Sequence, residues 1–327
     1  MVMVDSRRWI PAADGAARRE AMLVIGERIH IISPTVRKAV EARDTAAIQR
    51  LAKAQVDKGA DMLDLNIGPQ RRGGPEVMTW MVNAVQAVTD KALSFDTTNL
   101  AAIEAGLRLA RNRAMINAAS AEPERLEKVP ELAARHNAIL IALLMGRSGI
   151  PVTAEERVSI AVDALVPRAV EAGIAMEDLY LDPLVLTVAG CQEYCPHAIE
   201  AVRTIKQRLD PAPMTICGLS NVSDNAPKEH RSLLNRVYLV MLMAAGLDAV
   251  IVDPLDHELM ETIRIVEQRD NSSDVGNLLL MLHDATAAME GLEPSQVDMD
   301  DPDQAAIWRA ARVLLNKTTF TESYLRA

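Results

Sequence analysis

Apolar positions in this chain follow two rhythms in turn. Short, nearly continuous apolar blocks read as buried strands, and longer stretches with apolar residues at i, i+3, i+4 and i+7 read as amphipathic helices. Strands are predicted at residues 23–29, 61–66, 93–96, 113–117, 138–144, 179–182, 215–217 and 247–252. Between them, helices are predicted at 45–58, from Pro75 to about 88, 100–110 with Thr98 or Asn99 as the cap, and from Pro123 to 136. Further helices run over 154–172, where Pro167 should introduce a kink, from Pro196, from Pro227 to a stop at Gly246, and from about His257 to Glu267. Eight strands, each followed by a helix, imply a parallel sheet, and eight such units at this length predict a closed (β/α)8 barrel. A doubly wound open sheet is the alternative.

Two stretches break the rhythm. Residues 1–21 read as an N-terminal extension with a weak helical tendency, and about 269–307 read as a C-terminal helical and acidic insertion into a single barrel domain. The insertion holds the apolar run 275–282, which must cover the barrel or a partner, and an acidic loop at 298–303 that reads as solvated. A last helix is predicted from Gln304 to about Asn316.

Composition narrows the function classes. With 49% apolar residues in 327, the chain buries a sizeable core, and a net charge of −10 disfavours nucleic acid and anionic membrane as partners. No apolar run reaches the ~18 residues of a membrane span. The charged residues 1–20 lack the apolar core of a secretory leader, and three cysteines are too few for a disulfide framework, so a cytoplasmic location is expected.

The stretch Met214 to Ser223 focuses the search for chemistry, because a buried strand becomes polar at Gly218, Ser220, Asn221 and Ser223 just before a helix. The same thing happens at other strand ends: Asp64 and Asn66, Asp96, Asn117 and Asp182. In a barrel these ends surround one mouth. A set of Asp, Asn and Ser with no His and no Lys is poor for nucleophilic or metal chemistry. It suits recognition of a flat heterocycle bearing amide-like donors and acceptors. Any one of these residues could instead cap a helix or brace a loop. Cys191, Cys195 and His197 fit no four-ligand zinc spacing, so no metal is expected on this chain.

With those residues assembled, the chain resembles the methyltetrahydrofolate:corrinoid/iron-sulfur protein methyltransferases, pterin-binding barrels related to dihydropteroate synthase. The stretches that carry the likeness are Ile25-Gly26-Glu27-Arg28-Ile29, Leu63 to Pro69, Asp96-Thr97-Thr98-Asn99, Arg113 to Asn117, Met176 to Leu184 and Gly218 to Ser223. The resemblance implies a pterin held by Asp96, Asn117 and Asp182, with Gly218, Ser220, Asp64 and Asn66 lining the site and Asn221 near N5. It implies methyl transfer in either direction between N5 of tetrahydrofolate and the cobalt of a corrinoid on a separate protein. It also implies a homodimer, and Arg147 as a cation near the folate tail. This chain departs from the family at His30, where Asn is usual, and at Arg147-Ser148, which replaces a Lys-Thr pair. Two rivals are a pterin-binding subunit without turnover and a dihydropteroate synthase. The second would need a Thr-Pro-Asp-Ser-Phe-like loop after the first strand and a Ser-x-Arg site after the eighth, and neither is present.

Overall fold

The computed structural model describes residues 10–11, 17–18, 21–70, 72–147 and 149–326. Eight strands form a closed, all-parallel barrel in chain order: β1 (Leu23–His30), β2 (Met62–Asn66), β3 (Ala92–Asp96), β4 (Met115–Ala119), β5 (Ile139–Leu143), β6 (Leu179–Asp182), β7 (Met214–Gly218) and β8 (Ala249–Val252). β8 pairs with β1 to close the ring, so the barrel expectation holds and the doubly wound alternative falls. The predicted N-terminal extension lies outside the described residues, apart from a short antiparallel pair, Ile10–Pro11 with Ala17–Arg18, and residue 21.

Alternation along each strand divides its side chains between two cores. Leu23, Ile25, Met62, Met115, Ile141, Tyr180, Ile216, Ala249 and Ile251 fill the barrel interior. Their sequence neighbours, such as Leu63, Leu65, Phe95, Ile116, Leu140 and Leu181, pack outward against the helices. Gly26 marks a close approach: a Cβ there would lie 2.5 Å from Gln55 Oε1. That oxygen accepts a 2.8 Å bond from the Arg28 N–H, where the β1–β2 register shifts between Gly26 and Ile29. The bulge turns His30 toward the barrel mouth, in register with Asn66, where Glu27 already points by the alternation that Leu23 and Ile25 begin.

The helices follow prediction closely, with informative differences. Asn99, not Thr98, caps the helix Leu100–Leu109, accepting from Ala102 N–H at 3.1 Å. The helix predicted over 154–172 is interrupted by a π turn at Ala161–Leu165 between Ala154–Ile160 and Val166–Glu171. Pro167 has no N–H to donate, and the wider turn just before it absorbs that loss. In the C-terminal part, Leu278, Leu279, Leu280 and Leu282 of the helix Asp274–Ala287 are buried against the helix Lys228–Ala245, so the apolar run covers this chain's own barrel. The last long helix starts at Pro302, two residues before Gln304, because Asp301 accepts from the N–H groups of Asp303 and Gln304 and Pro302 opens the first turn. Gln192 ties this segment to the loop after β6: its amide donates to the Val313 and Thr318 carbonyls and accepts from Phe320 N–H. Among the described residues, no helix is long and apolar enough to cross a membrane.

Candidate active site

Inward-facing positions change from apolar to acidic toward the C-terminal ends of the strands. Met62 is followed by Asp64 and Asn66, Ser94 by Asp96, Met115 by Asn117, Tyr180 by Asp182 and Ile216 by Gly218. Register sets Asn66, Asp96 and Asn117 side by side on adjacent strands, so one wall of the mouth is built by β2 to β4. That wall is already connected. The Asn66 amide donates to Asp96 Oδ2 and its own Oδ1 accepts from Gly68 N–H at 3.0 Å. One layer deeper, Ser94 Oγ donates to Asp64 Oδ1 at 2.6 Å, and the Asn117 amide reaches the same oxygen at 3.4 Å. Asp64 therefore lies beneath the opening and supports Asn117.

The facing wall comes from β6, β7 and β1. Asp182 ends β6, and its Oδ1 accepts from Leu184 N–H at 2.8 Å. Gly218 ends β7 and leads into a short turn, Leu219–Ser223, that carries Ser220 and Asn221. A Cβ on Gly218 would press to 3.2 Å from the Asn221 amide nitrogen, so glycine leaves that carboxamide room. Asn221 is exposed, whereas Ser220 Oγ donates to Glu27 across the mouth. At the rim, Arg28 pairs with Asp253 at 3.0 Å.

Four carboxyl groups, Glu27, Asp64, Asp96 and Asp182, thus converge on one mouth, with the Arg28 charge acting on Glu27 and the Arg125 charge on Asp96. Burial is the main influence on each. It raises Glu27 and Asp182 to about 7, against donors that favour the charged forms: Ser220 for Glu27, and the Leu184 and Gly218 N–H groups for Asp182. Asp64 is pushed well up by burial and by the nearby Asp96 charge, and Asp96 is raised by burial against the Asn66 bond and the Arg125 charge. Arg125 donates to the Ala118 and Thr98 carbonyls behind this wall. His30 is lowered from its ordinary value by burial and by the Arg28 charge, against the Asp253 charge. Each carboxyl has more acceptor sites than the one or two donors that reach it, which suits a ligand that brings several N–H groups.

The structure brings Asp64, Asn66, Asp96, Asn117, Asp182, Gly218, Ser220 and Asn221 to one mouth. Arg147 instead sits exposed on a turn bridged by Gly146 and Gly149, and Ser148 lies outside the described residues. Sequence reasoning missed Glu27, Ser94, Arg125 and Asp253 as members of the site. The signal for Glu27 and Asp253 was the same period of two: Leu23, Ile25, Glu27 and Ala249, Ile251, Asp253. Cys191, Cys195 and Cys217 are free thiols, and no group of three His, Cys, Asp or Glu that could hold a metal ion occurs among the described residues.

Comparison with known proteins agrees with this geometry. Residues 33–253 match the pterin binding enzyme family. The methionine synthase of Mycobacterium leprae is 32% identical over 246 residues, covering 72% of this chain; the chain spans only 20% of that protein's length. A methylcorrinoid:tetrahydrofolate methyltransferase of Eubacterium limosum is 26% identical over 244 residues, covering 74% of this chain and 89% of that enzyme. Among solved structures, Yersinia pestis dihydropteroate synthase with a pterine–sulfa conjugate superposes with a TM-score of 0.56 at 20% identity, over 78% of this chain and 95% of that one, a likeness of fold.

Proposed function

The chain belongs to the pterin binding enzyme family, and from that premise we propose that it is a methyltransferase of one-carbon metabolism. It moves a methyl group between N5 of tetrahydrofolate and the cobalt of a corrinoid carried by a separate protein. The observation that carries this reading is the mouth itself: inward-facing carboxylates and carboxamides on one wall, and an exposed carboxamide, Asn221, on the turn after β7. The match to the Eubacterium limosum enzyme over 89% of its length supports the chemistry and, through that enzyme's name, the direction from methylcorrinoid to tetrahydrofolate.

The residues divide the work. A pterin offers a planar edge of N–H donors, which Asp182 and Asp96 accept, with Asn117 matching the remaining polar atoms. Those N–H groups add donors to carboxylates that the protein itself already meets with Leu184 and Gly218 N–H at Asp182 and the Asn66 amide at Asp96. In the proposed direction, N5 attacks the cobalt-bound methyl carbon, the Co–C electron pair stays on cobalt as Co(I), and N5 sheds its proton to solvent. In reverse, the C–N bond breaks as N5 takes a proton. A tertiary amine leaves poorly, so the charge change at N5 must be stabilised. The Asn221 amide follows it, accepting from N5–H or donating to the N5 lone pair, without itself giving up a proton. The free thiols fit a reducing cytoplasm.

The test is anaerobic absorbance of the purified protein with methyltetrahydrofolate and reduced cob(I)alamin, run in both directions beside Asn221→Ala. Loss of the Co(I) band with growth of methylcobalamin is expected, and ~100-fold slower turnover in the variant with little change in pterin affinity. Tight pterin binding without turnover, even with a corrinoid protein supplied, would make the chain a binding subunit. Absence of both would overturn the pterin reading.

A further inference from the structure

Behind the Asp182 wall lies a charge that the mouth does not account for. Arg157, on the helix Ala154–Ile160 that follows β5, is fully buried. Its Nε donates to the Pro183 carbonyl at 2.7 Å and its Nη1 to the Val152 carbonyl at 2.8 Å. The two acceptors belong to different mouth loops, one after β6 and one after β5. Its Nη2 is buried with no acceptor. A buried guanidinium held by carbonyls alone, with a donor to spare, is costly, and a Met or Leu of similar volume would fill the space more cheaply. The residue it grips directly follows Asp182.

We propose that Arg157 is a positioning residue for the pterin site, clamping the loops after β5 and β6 and setting its charge behind Asp182 as the substrate's N–H edge docks. The inference rests on the reading of Asp182 as a pterin acceptor. The groups facing Asp182 are few. Arg157 comes from the helix after β5, the buried Cys217 thiol from β7, and the Leu184 and Gly218 N–H groups from the backbone. Around Arg157 itself stand Glu156, Tyr194, Cys195 and Tyr238; burial raises the Cys195 thiol and the Tyr238 phenol, which keeps both neutral. Among the described residues Arg157 is thus the cation that acts on Asp182, whereas it does not figure among the charges acting on Glu27, the other mouth carboxyl near neutrality.

The experiment measures tetrahydrofolate affinity by anaerobic calorimetry from pH 5.5 to 8.5 for the wild type, Arg157→Met and Arg157→Lys, with thermal melts to confirm folding. Wild-type binding that weakens on the acid side is the premise, and its failure would count against the pterin reading itself. Given that premise, Arg157→Met should move the acid limb up by at least about half a pH unit, because the carboxylate loses its supporting charge. Arg157→Lys keeps the charge but loses the fork, so the limb should stay in place while affinity falls roughly tenfold at every pH. A limb that stays put in Arg157→Met, with affinity lowered uniformly, would reduce Arg157 to scaffolding and overturn the proposal. If Arg157→Met does not fold, an Arg157→Lys protein that binds like the wild type would overturn it equally.

Discussion

The two halves of the barrel's inward face lie on the same strands and obey the same alternation, yet they are built on opposite principles. In the lower half, Leu23, Ile25, Met62, Met115, Ile141 and Ile216 pack against one another with little or no exposure, and the residue types follow from burial alone. Two residues further along, the same pointing direction carries Glu27, Asp64, Asp96 and Asp182. Each of these is pushed toward its neutral form by burial, so the free protein holds them at a cost to stability. A region that gives up stability without a structural return is organised for something that is not yet bound. The lower half holds the barrel closed; the upper half waits for donors.

The largest effect that would sharpen this contrast is at Asp182. Asp182→Asn keeps the size but turns one acceptor into a donor aimed at the pterin edge. Tetrahydrofolate affinity should fall on the order of 100-fold or more, while the unliganded fold survives. Calorimetry beside a thermal melt decides it, and wild-type affinity in the variant would erase the distinction between the halves. Next comes Ile216→Ala, on the neighbouring β7 two residues before Gly218 and 0% exposed. It should cost ~2–4 kcal/mol of stability through lost burial and a cavity. Turnover per folded molecule should stay close to wild type at a temperature well below the melt. A variant that keeps its stability and loses turnover would place Ile216 functionally with the mouth.

Much of this was legible because barrel and mouth both depend on short-range pattern. The strands were bounded by their own apolar runs, and helix starts by Pro123, Pro196 and Pro227 or by caps such as Asn99. Strand-end Asp and Asn residues stood out because each interrupts an apolar block. Glu27 did not stand out, since it lies within a run that continues to Ile29, and His30 reaches the mouth only through the bulge after Gly26. Arg157 was hidden for a different reason. It reads as one more charged residue in Glu155-Glu156-Arg157, and its burial depends on contacts with Val152 and Pro183 in two separate loops. The fate of the run Leu278–Leu282 was undecided for the same cause, because sequence fixes that it must be covered but not by what. The outer face of the helix Lys228–Ala245 decides that.

The smallest expected effect tests the cost directly, through pH. Glu27 and Asp182 titrate at about 7 when folded against ordinary values of 4.5 and 3.8, and Asp64 and Asp96 move the same way. Between those limits the folded chain keeps protons that the unfolded chain has released. Unfolding free energy therefore falls as pH rises through this window, the Glu27 and Asp182 contributions levelling off above about 7. His30 works in the opposite sense, because its folded value is lowered and stability linked to it grows as pH rises. Asp270, depressed to about 2 by Ser272 and Arg264, acts only at lower pH. With four carboxyls set against one half-buried imidazole, the melting temperature of the unliganded protein should drop by a few °C from pH 5.5 to 7.5. Asp182→Asn should flatten that slope and melt higher than the wild type at pH 7.5, although it has lost the ligand. Saturating tetrahydrofolate should flatten the wild-type slope as well, by giving the carboxylates their donors. A wild-type melt that rises across this range, or an Asp182→Asn slope equal to the wild type, would mean that the mouth carries no such burden and that its acidic character needs another explanation.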